Sequence, residues 1–155
     1  MNRVFKLCLA SFLVCGTALI APAQERKIKR EQLPPAVEKT VAAESQGATI
    51  NGFSTEVEKG KRVYEAELTV NGHSKDITMD RRGKILEVEE EVTLESLPAP
   101  VQAALRRAAG SGTIVKIESL TRNGKVVAYE ADIKQGKRER EIEVGPNGKR
   151  LKRPE

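Results

Sequence analysis

The feature that most constrains this chain is an internal duplication with an offset of 64 residues. Leu33-Pro34-Pro35-Ala36-Val37 aligns with Leu97-Pro98-Ala99-Pro100-Val101. After one extra residue in the second copy, Tyr64-Glu65-Ala66-Glu67 aligns with Tyr129-Glu130-Ala131-Asp132, and Gly83-Lys84 aligns with Gly148-Lys149. Because both the order and the spacing repeat, the sequence predicts two copies of one supersecondary unit.

Each copy begins with a predicted helix. In the first copy Leu33, Val37 and Val41 recur at helical spacing and form one apolar stripe. The second copy repeats this stripe with Leu97, Val101 and Leu105. A proline near the start of each segment favours a helix N-terminus, where the missing N–H costs no hydrogen bond.

The rest of each copy predicts antiparallel strands. Apolar and polar residues alternate, with Tyr64, Ala66 and Leu68 on one face and Glu65 and Glu67 on the other, which is typical of a sheet with one buried face. Dipeptides ending in glycine separate the strands, and Asn-Gly is a strong hairpin signal. These predicted turns are Lys59-Gly60, Asn71-Gly72, Arg82-Gly83, Asn123-Gly124, Gln135-Gly136 and Asn147-Gly148.

The predicted fold class is α+β: a tandem duplication of a helix followed by a roughly four-stranded antiparallel sheet, with the helices packed on one sheet face. The fourth strand of the first copy is predicted near residues 85–92. The predicted domains are a signal peptide at residues 1–23, a first repeat at residues 24–92 and a second repeat at residues 93–155. The residues leave open whether the two sheets join edge to edge or pack separately.

The N-terminal segment has the layout of a secretory signal peptide. Arg3 and Lys6 precede an apolar run from Leu7 to Ile20, and Ala21-Pro22-Ala23 is a small-residue cleavage pattern. A retained membrane anchor is the competing interpretation, but the run is shorter than the roughly 20 residues that a spanning helix needs. We therefore expect cleavage near Ala23, a periplasmic or secreted protein, and no stable membrane insertion after cleavage.

Composition narrows the chemistry of the mature chain. Both cysteines, Cys8 and Cys15, lie in the signal segment, so the mature chain is expected to lack disulfides and thiolate metal sites. His73 is the only histidine, and it follows the Asn71-Gly72 turn without an evident catalytic partner. These features predict no enzymatic activity, no cofactor and no metal site. Nucleic acid is not an expected partner, since export separates the chain from it and no aromatic residues interleave the basic ones.

The doubled Leu-Pro, Tyr-Glu-Ala and Gly-Lys elements resemble the tandem PepSY-like family of exported bacterial proteins. That resemblance covers residues 28–151 and implies a fold similar to the β-lactamase-inhibitory protein. It also implies a binding module of the envelope with no catalytic motif, whose partner could be a peptidase. One departure is the turn Asp80-Arg81-Arg82-Gly83, where members of the family often carry an Asp-Gly turn, so an acidic or metal role is not expected there.

Six residues are the candidate binding site: Tyr64, Glu65, Glu67, Tyr129, Glu130 and Asp132. The tyrosines either pack in the core or face a partner, where tyrosine is enriched. The acids are either a solvated sheet face, ligands for a hard cation, or the carboxylates of a hydrolase. The preferred hypothesis is a non-catalytic module that binds a protein or peptide in the bacterial envelope, and the alternative is a small-ligand or cation-binding sensor.

Overall fold

The computed structural model describes residues 25–151. The signal peptide predicted at residues 1–23 therefore lies outside the described residues. The described chain forms eight strands and two α-helices. The helices are α1 (Pro35–Glu44) and α2 (Ala99–Ala109). The strands are β1 (Arg26–Ile28), β2 (Thr49–Glu58), β3 (Lys61–Val70), β4 (His73–Asp80), β5 (Ile85–Glu91), β6 (Thr113–Arg122), β7 (Lys125–Gln135) and β8 (Arg138–Val144).

All eight strands belong to one antiparallel sheet, and their order in the sheet is their order in the chain. β5 joins the two halves, because it pairs with β4 on one side and with β6 on the other. The junction with β6 runs from the pair Val88–Thr121 to the pair Glu91–Glu118. The sheet is therefore continuous across the duplication.

The predicted fold class is wrong. The prediction is a duplicated helix with two roughly four-stranded sheets, whereas the described residues form mainly one eight-stranded antiparallel sheet with two short helices. The physical reason is that β5 has a hydrogen-bonding edge on each side, and β6 pairs with the edge that β4 leaves free. A short strand before the first helix, β1, is absent from the prediction and extends the sheet along β2.

Both helices pack on the same side of the sheet, which is called the helix face here; the opposite side is called the open face. Each helix forms where the apolar stripe predicts it and buries that stripe, with Val37 and Val41 in α1 and Val101 and Leu105 in α2. Proline precedes the first turn of each helix. Two cores result, one under each helix. The first contains Leu33, Val37, Val41, Phe53, Tyr64, Ala66, Leu68, Ile77 and Met79; the second contains Leu97, Val101, Leu105, Ala109, Ile117, Ala131, Ile133, Ile142 and Val144.

The turns between the strands follow the glycine signals. Lys59, Asn71 and Asn123 have positive φ, as do the glycines that follow them. Gly83 and Gly148 have a second constraint: a Cβ there would lie 2.3 Å from the carbonyl oxygen of Ala36 and 2.4 Å from that of Pro100, respectively. Gly83 lets the turn after β4 approach the first turn of α1, and Gly148 lets the turn after β8 approach the first turn of α2. The duplication therefore holds at the level of backbone contacts.

Candidate functional site

The open face carries a high density of carboxylates. Side chains alternate between the two faces along a strand, so the strand registers place each residue on one face or the other. The acidic residues that these registers place on the open face are Glu56, Glu58, Glu65, Glu67, Asp76, Asp80, Glu87, Glu89, Glu91, Glu118, Glu130, Asp132, Glu139, Glu141 and Glu143. This concentration contrasts with a formal net charge of +5 for the whole sequence. The open face is therefore much more acidic than the sequence as a whole.

Several of these acids are direct cross-strand neighbours. Asp76 lies opposite Glu67 on one side and opposite Glu89 on the other. In the second half Glu118 lies opposite both Glu91 and Glu130. Like charges directly opposite one another destabilise a sheet. The strand pairing therefore keeps these acids close to one another despite their electrostatic repulsion.

The surroundings of these carboxyls raise their pKa values. Burial, reinforced by the charges of Asp76, Glu25 and Glu67, raises the pKa of Glu65 to about 7. Burial also raises the pKa of Glu89 to about 7, with additional repulsion from Glu87, Glu118, Asp76 and Glu65. The pKa of Asp76 is raised as well, mainly by burial and then by the charge of Glu118. Since acids of both halves contribute to the environment of Glu89, the open face acts as one electrostatic unit.

Basic residues at this face pair with individual acids. The Lys27 ammonium donates a hydrogen bond to the Glu67 carboxylate. Lys116 Nζ lies 2.7 Å from Glu118 Oε1, and Arg122 Nε lies 2.5 Å from Glu87 Oε2. These pairs offset only part of the negative charge. Side chains of neighbouring strands also crowd the centre of the face, where Glu118 is 8% exposed.

The predicted site residues separate onto the two faces. Tyr64 is buried in the first core, and Tyr129 packs against the second core, so both tyrosines lie on the helix face. Glu65 and Glu67 lie on β3 of the open face, and Glu130 and Asp132 lie on β7 of the same face. The structure therefore brings the four acids onto one surface and places the tyrosines beneath the helices.

The two acidic pairs are too far apart to share one cation. β3 and β7 are separated by three intervening strands. At about 4.8 Å per strand this places the pairs roughly 19 Å apart. In addition, the described part of the chain contains no group of three or more His, Cys, Asp or Glu side chains arranged to hold a metal ion. The geometry thus argues against a cation site built from Glu65, Glu67, Glu130 and Asp132 together.

Sequence reasoning missed the central members of this surface: Asp76, Glu89 and Glu118. The alternation Glu87-Val88-Glu89 indicates two acids on one face of β5. Which acids on β4 and β6 lie beside them depends on strand register. The sequence signal existed, but only for one strand at a time.

The fold has solved counterparts among proteins of Bacteroides. A DUF2874 family protein of Bacteroides ovatus shares 18% identity at a TM-score of 0.59, with 77% of this chain and 85% of that chain covered. A protein of Bacteroides eggerthii described as periplasmic shares 16% identity at a TM-score of 0.63, covering 77% and 86%. A BLIP-like protein of Bacteroides fragilis shares 20% identity at a TM-score of 0.55, covering 76% and 82%. At these identities the likeness establishes the fold.

Similarity in sequence establishes the family. No curated protein matches the chain in sequence. One family model, described as "Putative beta-lactamase-inhibitor-like, PepSY-like", matches it twice, at residues 19–87 and at residues 62–152. These two tandem matches together extend over most of the sequence, and they agree with the resemblance carried by the doubled Leu-Pro and Tyr-Glu elements. The chain is therefore a member of the PepSY-like, β-lactamase-inhibitor-like family.

Proposed function

We propose that this protein is a non-catalytic binding module of the bacterial envelope and that its open face binds a positively charged protein or peptide. The observation that carries this proposal is the continuous acidic surface of the open face. Among the described residues no helix covers it, because α1 and α2 both pack on the helix face. Membership of the PepSY-like family and the β-lactamase-inhibitor-like description of that family support a binding role.

An envelope location has two sources of support. The N-terminal residues have the composition of an export signal. The Bacteroides eggerthii protein of similar fold is described as periplasmic. Within the described residues, no helix has the length and apolar character needed to cross a membrane.

The electrostatics of the open face favour a basic partner. The charge of Lys27 opposes the raised pKa of Glu65, but burial and the neighbouring acids outweigh it, and the pKa values of Glu65 and Glu89 are each raised to about 7. Lysine or arginine side chains of a partner would stabilise the ionised carboxylates and lower these pKa values. Complementary charge also speeds association and suppresses partners of the wrong sign. Binding should therefore release protons near neutral pH, and affinity should rise between about pH 6 and pH 8.

Affinity capture from the envelope of the bacterium that encodes this chain tests the proposal. The bait is the mature chain, compared with an open-face variant, E65Q/D76N/E89Q, and with a matched control, E31Q/E44Q/E95Q, that removes the same number of acids elsewhere. We expect the wild type and the control to retain the same basic partner and the open-face variant to lose it. Raising the salt concentration should release the partner, since screening weakens exposed charge pairs.

Two outcomes would contradict the proposal. One is recovery of the same partner by all three baits. The other is a partner that stays bound equally well at pH 6 and pH 8, because a contact with the raised-pKa carboxyls must respond in that range.

A further inference from the structure

The two halves of the molecule carry different charges at the end of their helices. The last turn of α2 contains Arg106 and Arg107, and α2 has no acidic residue. By the duplication, these arginines stand at the positions of Ala42 and Ala43, and α1 ends at Glu44 without a basic residue in its last turn. The same backbone position is therefore basic in the second half only.

The hairpin between β7 and β8 differs from the hairpin between β3 and β4 in the same way. Three of its residues are basic where the first half has residues without a formal charge at pH 7: Lys134 for Thr69, Lys137 for Gly72 and Arg138 for His73. The duplication thus supplies an internal comparison, because the first half forms the same hairpin without these charges.

The end of α2 and the β7–β8 hairpin are in contact. The side-chain amide of Gln135 donates a hydrogen bond to Ser111 Oγ at 2.7 Å, just beyond α2. The Arg140 guanidinium donates a hydrogen bond to the carbonyl oxygen of Ala108. The basic residues of the two elements therefore belong to one surface, called the basic end here, whose five members are all exposed: Arg106, Arg107, Lys134, Lys137 and Arg138.

Two acids offset part of the charge of the basic end. Lys134 Nζ lies 3.1 Å from Glu139 Oε1, and Arg106 Nη2 lies 3.9 Å from Glu95 Oε1. Both pairs are at the surface, where an ion pair contributes little and a second anion can compete for the cation. The basic end is therefore available to an anionic partner.

The stability of the fold does not account for the basic end. Arginine in the last turn of a helix interacts favourably with the helix dipole, but α1 forms without it. Basic residues on an edge strand discourage pairing with other sheets, but Arg106 and Arg107 lie on a helix. Neither explanation covers the helix and the hairpin together, so we looked for a partner.

We propose that the basic end binds the surface of an anionic phospholipid bilayer. Lysine and arginine side chains near such a surface are attracted by its negative potential. The strand register places Lys134 on the open face and Arg138 on the helix face. The charges therefore surround one end of the molecule, as contact with an extended anionic surface requires.

An acidic protein fits the basic end less well. The centre of a protein–protein interface is apolar. Among the described residues, the exposed large apolar side chains are those of Val57, Val115, Val126 and Leu151. None of the four belongs to the last turn of α2 or to residues 134–140. Adsorption to a charged bilayer needs no apolar centre.

This contact is separate from the open face and shares only the envelope location with the function proposed above. The acids of the open face are repelled by anionic lipids, whereas the basic end is attracted to them. Adsorption through the basic end therefore leaves the open face accessible to a basic partner.

Sedimentation with lipid vesicles tests the proposal on the full mature chain. One vesicle contains phosphatidylglycerol and phosphatidylcholine in equal parts, and the other contains phosphatidylcholine alone. The variant R106A/R107A/R138H takes the residues of the first half. The control K61T/R81A/R82A removes the same number of basic residues at the opposite end of the strands, in the first half.

We expect the wild type and the control to bind the phosphatidylglycerol vesicles and not the phosphatidylcholine vesicles. R106A/R107A/R138H should bind at least about tenfold more weakly, because each basic residue near the surface contributes to adsorption. Added salt should release the wild type. A second variant, K134T/K137G, leaves α2 unchanged and should also bind more weakly, and far-ultraviolet circular dichroism reports whether each variant is folded.

Three results with vesicles would overturn the proposal: no binding to phosphatidylglycerol vesicles up to about 1 mM lipid, equal binding to both vesicles, or wild-type affinity in both basic-end variants. Tighter binding of soluble polyglutamate, per negative charge, would assign the basic end to an acidic protein instead. Salt-sensitive self-association without lipid, lost in R106A/R107A/R138H, would assign it to the open face of a second copy. None of these results depends on whether the open face binds a basic partner.

Discussion

Glu65 and Glu89 are the residues whose protonation most directly reflects the architecture of the open face. Each lies in a strand flanked on both sides, partly buried and near other carboxyls. Burial removes solvation from the ionised form, and neighbouring acids add repulsion, so the pKa of each is raised to about 7. At neutral pH these carboxyls are therefore only partly ionised.

This protonation makes stability depend on pH. A carboxyl whose pKa is higher in the folded state binds more protons there than in the unfolded state, so stability falls as pH rises between about 4.5 and 7. We expect E65Q/E89Q to be more stable than the wild type at pH 8 by about 1–2 kcal/mol, after allowance for partial exposure. At pH 4.5 the two proteins should have nearly equal stability.

Urea denaturation at the two pH values measures this difference. E31Q/E44Q is the control, and its urea midpoint should follow that of the wild type at both values. If the difference in stability between E65Q/E89Q and the wild type were the same at pH 8 as at pH 4.5, the raised pKa values of Glu65 and Glu89 would be wrong.

The elements of the fold differ in how far the sequence predicts them. The helices follow from the apolar stripes of Leu33 to Val41 and Leu97 to Leu105, because burying one side of a helix needs only local periodicity. The hairpins follow from the positive φ required at Asn-Gly turns. β1 could not be predicted in this way, since three residues with two exposed basic side chains carry no alternation signal.

Packing of α2 gives a prediction at this scale. Leu105 is fully buried between α2 and the sheet, whereas Val115 is 56% exposed beside the bulge in β6. L105A should lower the free energy of unfolding by about 2–5 kcal/mol, because it removes buried methyl groups and leaves a cavity. V115A should change it by less than about 0.5 kcal/mol.

Chemical denaturation of the two variants measures the contrast. Equally small losses in the free energy of unfolding of both variants would mean that packing of α2 through Leu105 does not stabilise the second core.

At the scale of the whole molecule, the sequence predicts the duplication but does not predict how the halves join. The alternation in β5 shows which of its residues share a face. It does not show whether another strand pairs with each edge of β5. Pairing of β5 with β6 depends on contacts between residues about 30 positions apart, such as Val88 with Thr121. The candidate site shows the same limit. The sequence identifies Glu65 and Glu130 as acids on predicted strands. That they share one surface with Asp76, Glu89 and Glu118 follows only from the order and register of the strands in the sheet.

The coupling of acids across the junction is the feature on which the proposed binding surface depends. Glu118 belongs to the second half and Glu89 to the strand that joins the halves, and the charge of Glu118 contributes to the raised pKa of Glu89. Removing the charge of Glu118 in β6 should therefore lower the pKa of Glu89 in β5. Neutralising an acid on the helix face, as in E44Q, should have no such effect.

NMR titration of the Glu89 side-chain carboxyl in the wild type, E118Q and E44Q measures this coupling directly. The fused sheet predicts a pKa for Glu89 near 7 in the wild type and in E44Q, and a lower pKa, closer to the ordinary value of 4.5, in E118Q. A Glu89 pKa that is the same in E118Q as in the wild type would contradict a single acidic surface spanning both halves.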